Sequence, residues 1–296
     1  MFITKSINPF SLARRINRPL ILDGAMGSML QKKGLKSKGS MWLSMANITD
    51  SDVVYGIHKE YISAGADIIT TNTFRTNPEA VENFGSKLSI NKLVNNSVRL
   101  ALSAAKDLPV MIAGSNAPAE DCYQRERKLP LDKLKYNHHK HIELLMESGC
   151  HFILNETQSH LDEIKVICKY CSQKNIPYVI SIFVDENLNL LSGENLFEAT
   201  KIILDYSPLA LSINCVKPGV FFKFYKKSNL NFNWGAYLNA GSGSFSDEKI
   251  LTGITPEDYS AAIKKALKKS PSFVGGCCGT TPAHIRAIKK VIDGKN

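Results

Sequence analysis

Three cysteines are the residues in this chain best suited to chemistry. Cys215 lies in the segment Ile-Asn-Cys-Val, and Cys277 and Cys278 are adjacent in Gly-Gly-Cys-Cys-Gly-Thr-Thr-Pro. Three thiolates can hold a zinc ion and leave its fourth tetrahedral position free, which distinguishes catalytic zinc sites from closed structural ones. The sequence therefore predicts an open metal site whose fourth ligand is the substrate. The alternative, a structural zinc in a binding module, is weaker because a structural site does not need an open position.

The interval of 62 residues between Cys215 and Cys277 fits a repeating architecture. An eight-unit barrel of about 250 residues has roughly 30 residues in each strand-helix unit, so the two motifs would follow strands n and n+2. Alternate strands of such a barrel point inward side chains into one layer. Neighbouring residues of an extended strand point to opposite faces, so Cys277 and Cys278 can face one ion only beyond the strand end. We expect the flanking glycines to allow that bend.

Length and composition indicate a globular protein in a reducing compartment. The chain has 296 residues, of which 44% are hydrophobic, and its apolar runs are shorter than a membrane span. Seven cysteines, an odd number, do not suggest a disulfide framework, so we predict a cytoplasmic protein. The first 19 residues are basic, as in an organellar transit peptide, but serine is sparse and they run directly into the first strand. We therefore do not predict a targeting segment.

The net charge of +10 raises the question of an anionic partner. The lysines, however, are dispersed in pairs along predicted helices, without interleaved aromatic residues. No nucleic-acid-binding motif accompanies them. We therefore predict small-molecule substrates as partners, with no nucleic acid and no membrane, and the sequence leaves the oligomeric state open.

Short apolar runs alternate with amphipathic stretches along the whole chain. The predicted strands are Pro19–Asp23, Ala66–Thr71, Val110–Ala113, His151–Asn155, Tyr178–Phe183, Ala210–Ile213, Asn233–Leu238 and Phe273–Gly275. The predicted helices are Ser51–Ala64, Ile90–Lys106, Leu131–Ser148, Leu161–Gln173, Leu196–Leu204, Val220–Lys227, Pro256–Lys268 and Pro282–Ile292. Eight alternating units without a linker predict an α/β fold, a single (β/α)8 TIM barrel in one domain spanning residues 1–296. The long connections 24–50 and 116–130 follow strand ends, where barrel active sites form, so we expect them to set specificity.

Six motifs, in order along the chain, resemble the homocysteine S-methyltransferase family. They are Asp23-Gly24-Ala25-Met26-Gly27, the run Ala64–Phe74, Asn155-Glu156-Thr157, Asn214-Cys215-Val216, the run Tyr237–Gly241 and the run Gly275–Pro282. The match covers nearly the whole chain, and the cysteine motifs are highly specific. This resemblance implies a zinc-dependent (β/α)8 barrel that methylates the thiol of L-homocysteine to give methionine.

The resemblance also implies roles for individual residues. The zinc ligands, which form the catalytic centre, match Cys215, Cys277 and Cys278. The groups that hold the amino-acid end of homocysteine match Asp23, Gly24, Thr71 and Glu156. For Asp23 the alternative is a cap of the following turn, and for Glu156 it is an ordinary surface ion pair.

These residue types suit thiol methylation. A free thiol is mostly protonated at neutral pH, whereas the thiolate is the nucleophile, and coordination to a metal removes the proton. Three cysteinate ligands would leave the site electron-rich, so the fourth sulfur should stay nucleophilic enough for in-line attack on a methyl carbon. A carboxylate such as Glu156 can accept hydrogen bonds from the substrate ammonium. Backbone amides of the glycine-rich first loop could meet the substrate carboxylate.

Trp42 indicates an onium methyl donor. A tryptophan at this place resembles the one in family members that use onium donors, and an indole face attracts a ligand cation. We therefore predict that Trp42 binds a sulfonium donor, S-methylmethionine or S-adenosylmethionine. The run from His58 to Phe74 instead resembles the cobalamin-dependent branch, so betaine or a methylcobalamin protein acting in trans is the alternative. Arg75 weakens the betaine option, because a fixed cation repels a quaternary ammonium.

Two further groups of residues resemble functional motifs but are better explained by structural roles. Cys168 and Cys171 form a Cys-x-x-Cys inside a predicted helix, where packing is a better interpretation than redox chemistry. The segment Asn-His-His-Lys-His at residues 137–141 has metal-binding side chains but no partner cluster elsewhere. We interpret it as a solvated helix face.

Overall fold

Eight parallel strands form a closed ring in the computed structural model, which describes residues 8–37, 39–85, 89–242 and 250–294. The strands are β1 (Leu20–Ile21), β2 (Ile68–Thr70), β3 (Met111–Asn116), β4 (Phe152–Gln158), β5 (Tyr178–Ile182), β6 (Ala210–Asn214), β7 (Trp234–Leu238) and β8 (Phe273–Gly276). They pair in the order 1-8-7-6-5-4-3-2, and a bridge between Leu22 and Ile68 joins β1 to β2. The fold is therefore the predicted (β/α)8 TIM barrel.

Helices alternate with these strands. They are α1 (Pro9–Arg15), α2 (Met26–Lys32), α3 (Ala46–Thr49), α4 (Ser51–Ala64), α5 (Pro78–Phe84), α6 (Ile90–Ala104), α7 (Leu131–Glu147), α8 (Leu161–Lys174), α9 (Leu196–Leu204), α10 (Pro218–Lys227), α11 (Pro256–Leu267) and α12 (Pro282–Ile292). All eight predicted helices are present. The sequence did not predict α1, α2, α3, α5 or the hairpin of Gly241–Ser242 with Leu251–Thr252. None of the described helices has the length and apolar character needed to cross a bilayer.

Helix α1 closes the end of the barrel at which the strands begin. The Phe10 ring is 1% exposed and makes edge contacts with Phe152 and Phe273, with centroid distances of 5.5 and 5.2 Å. Arg14 donates a hydrogen bond of 2.6 Å to the carbonyl of Leu230. The basic stretch considered as a targeting segment thus includes a packed helix, while its first seven residues lie outside the described ranges.

Helix α7 carries buried histidines, so the interpretation of its histidine-rich segment as a solvated face is wrong. His138 and His141 are each 0% exposed. His138 Nε2 lies 2.7 Å from a carboxylate oxygen of Glu163 in α8. The rings of His138 and His141 both bond the side-chain amide of Asn116 at the end of β3. Polar residues occur on this inward face because β3 and α8 present polar partners to it. By contrast, the Cys-x-x-Cys pair is buried in α8, as predicted.

His58 in α4 makes folding sensitive to pH. It is 0% exposed, and neither ring nitrogen has a hydrogen-bond partner among the described residues. Burial lowers its pKa from 6.5 to about 4. Because the fold favours the neutral ring, stability is full above pH 6.5 and is lost as the pH falls toward 4. We expect His58 alone to lower the free energy of unfolding by about 2 kcal/mol between about pH 7 and pH 5.

Urea unfolding at both pH values, for the natural protein and for His58→Leu, measures this contribution. The leucine variant should show the weaker pH dependence. His139→Leu is the matched control, because the His139 ring stacks on Tyr170 and is only partly buried. If the natural protein and His58→Leu lose equal stability on acidification, the assignment to His58 is wrong.

Candidate functional site

The three cysteines converge at the carboxyl end of the barrel. Their sulfur atoms all lie within 4.8 Å of one another, and Cys215 Sγ is 3.6 Å from Cys278 Sγ. A tetrahedral ion with zinc-sulfur bonds of about 2.3 Å separates its ligands by about 3.8 Å. The cluster therefore fits a zinc ion. Soft thiolate sulfur is also a donor type that selects zinc over hard cations.

Backbone geometry at the strand ends produces this convergence. Cys215 directly follows β6 and has a φ of 54°, in the left-handed region that non-glycine residues rarely adopt. Its amide bonds the carbonyl of Tyr237, and the amide of Cys277 bonds the carbonyl of Leu238, at 3.1 and 2.9 Å. Strand β7 thus holds the cysteines that follow its two neighbours. Gly279 has a φ of +79°, which gives the predicted bend after the pair.

The three thiols shift one another's pKa values. Hydrogen bonds from Cys277 and Cys278 hold the pKa of the Cys215 thiol well below its usual value. The pKa values of Cys277 and Cys278 are raised, chiefly by their interactions with Cys215. Three buried or half-buried sulfurs cannot all be thiolates without a cation, so a divalent ion would relieve this conflict.

A cavity of about 590 Å³ opens above the cluster, within the range of about 300–1,000 Å³ typical of ligand pockets. Every site residue named from the sequence lines it: Asp23, Gly24, Trp42, Thr71, Glu156, Cys215, Cys277 and Cys278. The structure thus brings together residues from five strand ends and the first loop.

Asp23 joins the first two strands and lines the cavity. Its carboxylate accepts hydrogen bonds of 2.8 and 3.0 Å from the amide and hydroxyl of Thr70, so it does not cap the following turn. Burial raises the pKa of Asp23 well above its usual value. Next to it, a Cβ on Gly24 would lie 2.6 Å from the Thr280 hydroxyl and 2.8 Å from that of Tyr61, which explains the glycine.

Glu156 lies within β4, not beyond its end as predicted. A register shift marks a bulge there, and Thr157 has a φ of 58°. The Asn214 side chain holds that bulge by accepting from the Thr157 amide at 3.0 Å. Glu156 accepts a hydrogen bond from Ser115, and burial raises its pKa to about 7. Its partner is a hydroxyl in the cavity wall, so a surface ion pair is the wrong interpretation.

Thr71 follows β2 directly and is 2% exposed. Its hydroxyl accepts a hydrogen bond of 3.1 Å from the Ser115 amide and lies 2.7 Å from the Thr73 hydroxyl. These contacts place Thr71 in the same wall as Glu156.

Trp42 lines the cavity, as do the aromatic residues Phe74, Tyr123 and Tyr237. Its ring meets Phe74 edge-on at 6.4 Å, and a Cβ on Gly27 would lie only 2.1 Å from the indole. The Trp42 backbone has a φ of 47°, which turns the residue against α2. The Arg75 guanidinium lies 5.5 Å from the Phe74 centroid and donates to the carbonyl of Glu120 at 2.6 Å.

Among the charged residues of the cavity lining, acids outnumber bases. Among its described residues the acids are Asp23, Glu79, Glu120, Asp121 and Glu156, whereas Arg75 is the base. Such a surface attracts cationic ligands, and low-dielectric walls strengthen the attraction.

Sequence reasoning missed two residues that touch the predicted site. The Tyr123 hydroxyl lies 3.1 Å from Cys215 Sγ, and Ser115 donates to Glu156. Tyr123 lies in the 116–130 connection that was expected to set specificity. No motif distinguishes it there, because a loop conformation decides which side chain reaches the sulfur.

Comparisons with known proteins agree with this geometry. The family model described as homocysteine S-methyltransferase matches residues 20–292. The chain is similar to homocysteine S-methyltransferase 2 of Arabidopsis thaliana, with 25% identity over 91% of this chain and 92% of that one. It is also similar to selenocysteine Se-methyltransferase of Brassica oleracea var. italica, with 25% identity over 91% and 88%. Among solved structures, the metallated homocysteine methyltransferase MmuM of Escherichia coli has a TM-score of 0.78 and 22% identity, covering 95% of this chain and 99% of that one.

Proposed function

The chain belongs to the homocysteine S-methyltransferase family, and we propose that it transfers a methyl group from a sulfonium-type donor to L-homocysteine at a zinc ion. It is a homocysteine S-methyltransferase, and its product is methionine. The observation that carries the finer proposal is the meeting of three thiols, two carboxylates and one indole in a single cavity.

The cluster of Cys215, Cys277 and Cys278 would hold the zinc ion. The separation of its sulfurs and their soft character support this assignment. Three side chains leave one tetrahedral position for a substrate sulfur, and bound zinc would supply the positive charge that keeps this sulfur a thiolate at neutral pH.

Asp23 and Glu156 are suited to the ammonium group of homocysteine. The Glu156 charge contributes to the raised pKa of Asp23, so the two carboxylates repel each other across the cavity wall. A cation between them would relieve this repulsion and stabilise both ionised forms. Ser115 orients Glu156 by hydrogen bonding, and Gly24 gives the substrate close access to the first loop.

Binding and orientation are the main contributions of these residues to the reaction. The carboxylates fix the amino-acid end, and the cysteines fix the place of the acceptor sulfur. Trp42 would hold the donor so that its methyl carbon faces that sulfur in line. The acceptor sulfur then forms a bond to the methyl carbon while the carbon-sulfonium bond breaks, and the donor leaves as a neutral thioether. Holding two reactants in this way is a large source of rate enhancement.

Two observations support a cationic donor. Trp42 presents an indole to the cavity, and most of the charged residues in the described lining are acidic. The Arg75 guanidinium is held by Phe74 and the carbonyl of Glu120, and the five acidic residues of the described lining outnumber its single charge. The run from His58 to Phe74, which resembles the cobalamin branch, begins at a buried residue of α4 outside the cavity, but its last residues, from Thr70 to Phe74, include cavity-lining ones, so the methylcobalamin alternative stays open.

A donor panel tests the proposed reaction. Zinc-loaded protein and homocysteine are incubated separately with S-methylmethionine, S-adenosylmethionine, betaine and a methylcobalamin protein, and methionine is measured. We expect one of the two sulfonium donors to give the highest kcat/KM. Turnover only with betaine or methylcobalamin would refute the sulfonium proposal, and a zinc-loaded protein inactive with every donor would favour a binding module. Selenocysteine as a second acceptor tests whether a selenol replaces the thiol.

Replacing Cys277 should separate metal binding from folding. Cys277→Ser should lose zinc affinity by at least about 100-fold, more than the loss of an outer hydrogen-bond partner, and lose turnover with it. Its circular dichroism should remain that of the barrel. Cys168→Ala is the control, since Cys168 is buried in α8 away from the cluster and its variant should keep the metal. Full zinc content in Cys277→Ser would refute the site.

Replacing Trp42 should affect one substrate more than the other. Trp42→Ala should raise the donor KM about tenfold or more, because a desolvated cation-indole contact contributes about 2 kcal/mol. The homocysteine KM should change far less. The donor KM of Trp42→Phe should lie between those of the natural protein and Trp42→Ala, since phenylalanine attracts cations more weakly than tryptophan. Equal changes in both KM values would contradict a donor role for Trp42.

A further inference from the structure

Tyr123 in the connection after β3 reaches the cysteine cluster. Its hydroxyl lies 3.1 Å from Cys215 Sγ, although the two residues belong to different strand-helix units. The Tyr123 ring packs edge-on against Phe183, with a centroid distance of 5.1 Å. The phenol is thus packed on one side and in contact with a predicted zinc ligand at its tip.

The backbone around Tyr123 is fixed by polar contacts with α8 and with the connection between β4 and α8. Glu163 accepts from the Ala119 amide at 2.8 Å, ahead of Tyr123. Ser159 donates to the carbonyl of Cys122 at 3.2 Å, and the ring of His160 bonds the carbonyl of Arg125 at 3.0 Å. These bonds hold the loop on both sides of Tyr123, so the fold itself places the hydroxyl beside the sulfur.

The buried His138 of α7 supports this loop through Glu163. Glu163, which holds the Ala119 amide, also bonds His138. Burial acts to raise the pKa of Glu163, but its hydrogen bonds to His138 and to the Ala119 amide, together with the charges of His138 and Arg127, lower it. A charged carboxylate accepts stronger hydrogen bonds than a neutral one. The position of Tyr123 therefore depends on residues that are far from the chemistry.

The proposed reaction poses a problem of selectivity that this contact can solve. With zinc and homocysteine bound, four sulfurs would surround the metal, and only the substrate sulfur should take the methyl group. We propose that the Tyr123 hydroxyl donates a hydrogen bond to Cys215 Sγ and so makes this ligand a poorer nucleophile than the substrate sulfur. The inference rests on the proposed zinc site but not on the identity of the donor.

The side reaction that Tyr123 suppresses is methylation of the protein. The Cys215 sulfur would attack the methyl carbon, forming a sulfur-carbon bond while the carbon-sulfonium bond of the donor breaks and a neutral thioether leaves. Cys215 would then be an uncharged thioether and a weak zinc ligand. A hydrogen bond to a metal-bound thiolate withdraws electron density from the sulfur, as outer contacts to metal ligands generally do. Because that thiolate has no proton, the phenol must be the donor.

Cobalt loading and a simple electrophile test this proposal without any biological donor. The natural protein and Tyr123→Phe are loaded with Co²⁺, and the sulfur-to-cobalt charge-transfer band is recorded. Each protein is then treated briefly with iodomethane, and methylation at Cys215, Cys277 and Cys278 is measured by peptide mass spectrometry. Tyr136→Phe is the matched control, because that tyrosine is 62% exposed on α7.

We expect Tyr123→Phe to move the charge-transfer band to lower energy. The share of methylation at Cys215 should rise about threefold or more, the size expected for one net hydrogen bond. Tyr136→Phe should match the natural protein in both readouts. An unchanged band and an unchanged distribution in Tyr123→Phe would overturn the proposal. A folded Tyr123→Phe that takes up no cobalt would also overturn it, because Tyr123 would then be needed to assemble the site.

Homocysteine methylation by the natural protein is measured in parallel. If Tyr123→Phe shifts the band and exposes Cys215 while no donor supports methionine formation, the role of Tyr123 stands and the proposed reaction fails. The two proposals are therefore separable.

Discussion

The contact between the sulfurs of Cys215 and Cys278, 3.6 Å apart, is the constraint on which the site depends. No local segment can make it, because the two residues follow strands that are separated by β7. The contact requires β6, β7 and β8 to be paired in register. The left-handed backbone at Cys215 adds a further local strain, which the surrounding carbonyl and sulfur contacts must offset. Pairing of these strands therefore also brings the thiols together.

Charge organises the rest of the cavity around that cluster. Electron-rich sulfurs lie near Asp23 and Glu156, and further acids line the walls. Burial raises the pKa values of Asp23 and Glu156, and interactions with Cys215 raise those of Cys277 and Cys278. In the proposed reaction, a metal ion, a substrate ammonium and a sulfonium would bring positive charge that stabilises these acidic groups as anions. An acidic cavity in a chain of net charge +10 also shows that global charge says little about a local site.

The sequence predicted what depends on local pattern. Eight apolar runs and their intervening amphipathic stretches follow from side-chain periodicity, and the cysteine spacing followed from the repeat length. The bulge that places Glu156 within β4 has no such signature, since Asn214 on another strand stabilises it. His138 was misassigned because the sequence does not distinguish a helical histidine that faces water from one that bonds a buried carboxylate. Tyr123 was missed because only the folded loop determines which residue touches Cys215.

The aromatic contacts of Phe10 have a kinetic consequence. Its ring seals the barrel where the strands begin, so molecules exchange with the thiols through the opposite mouth. In the proposed reaction, an acceptor sulfur at the cysteines and a donor at Trp42 would share this one opening. We therefore expect the acceptor to enter before the donor and methionine to leave after the spent donor.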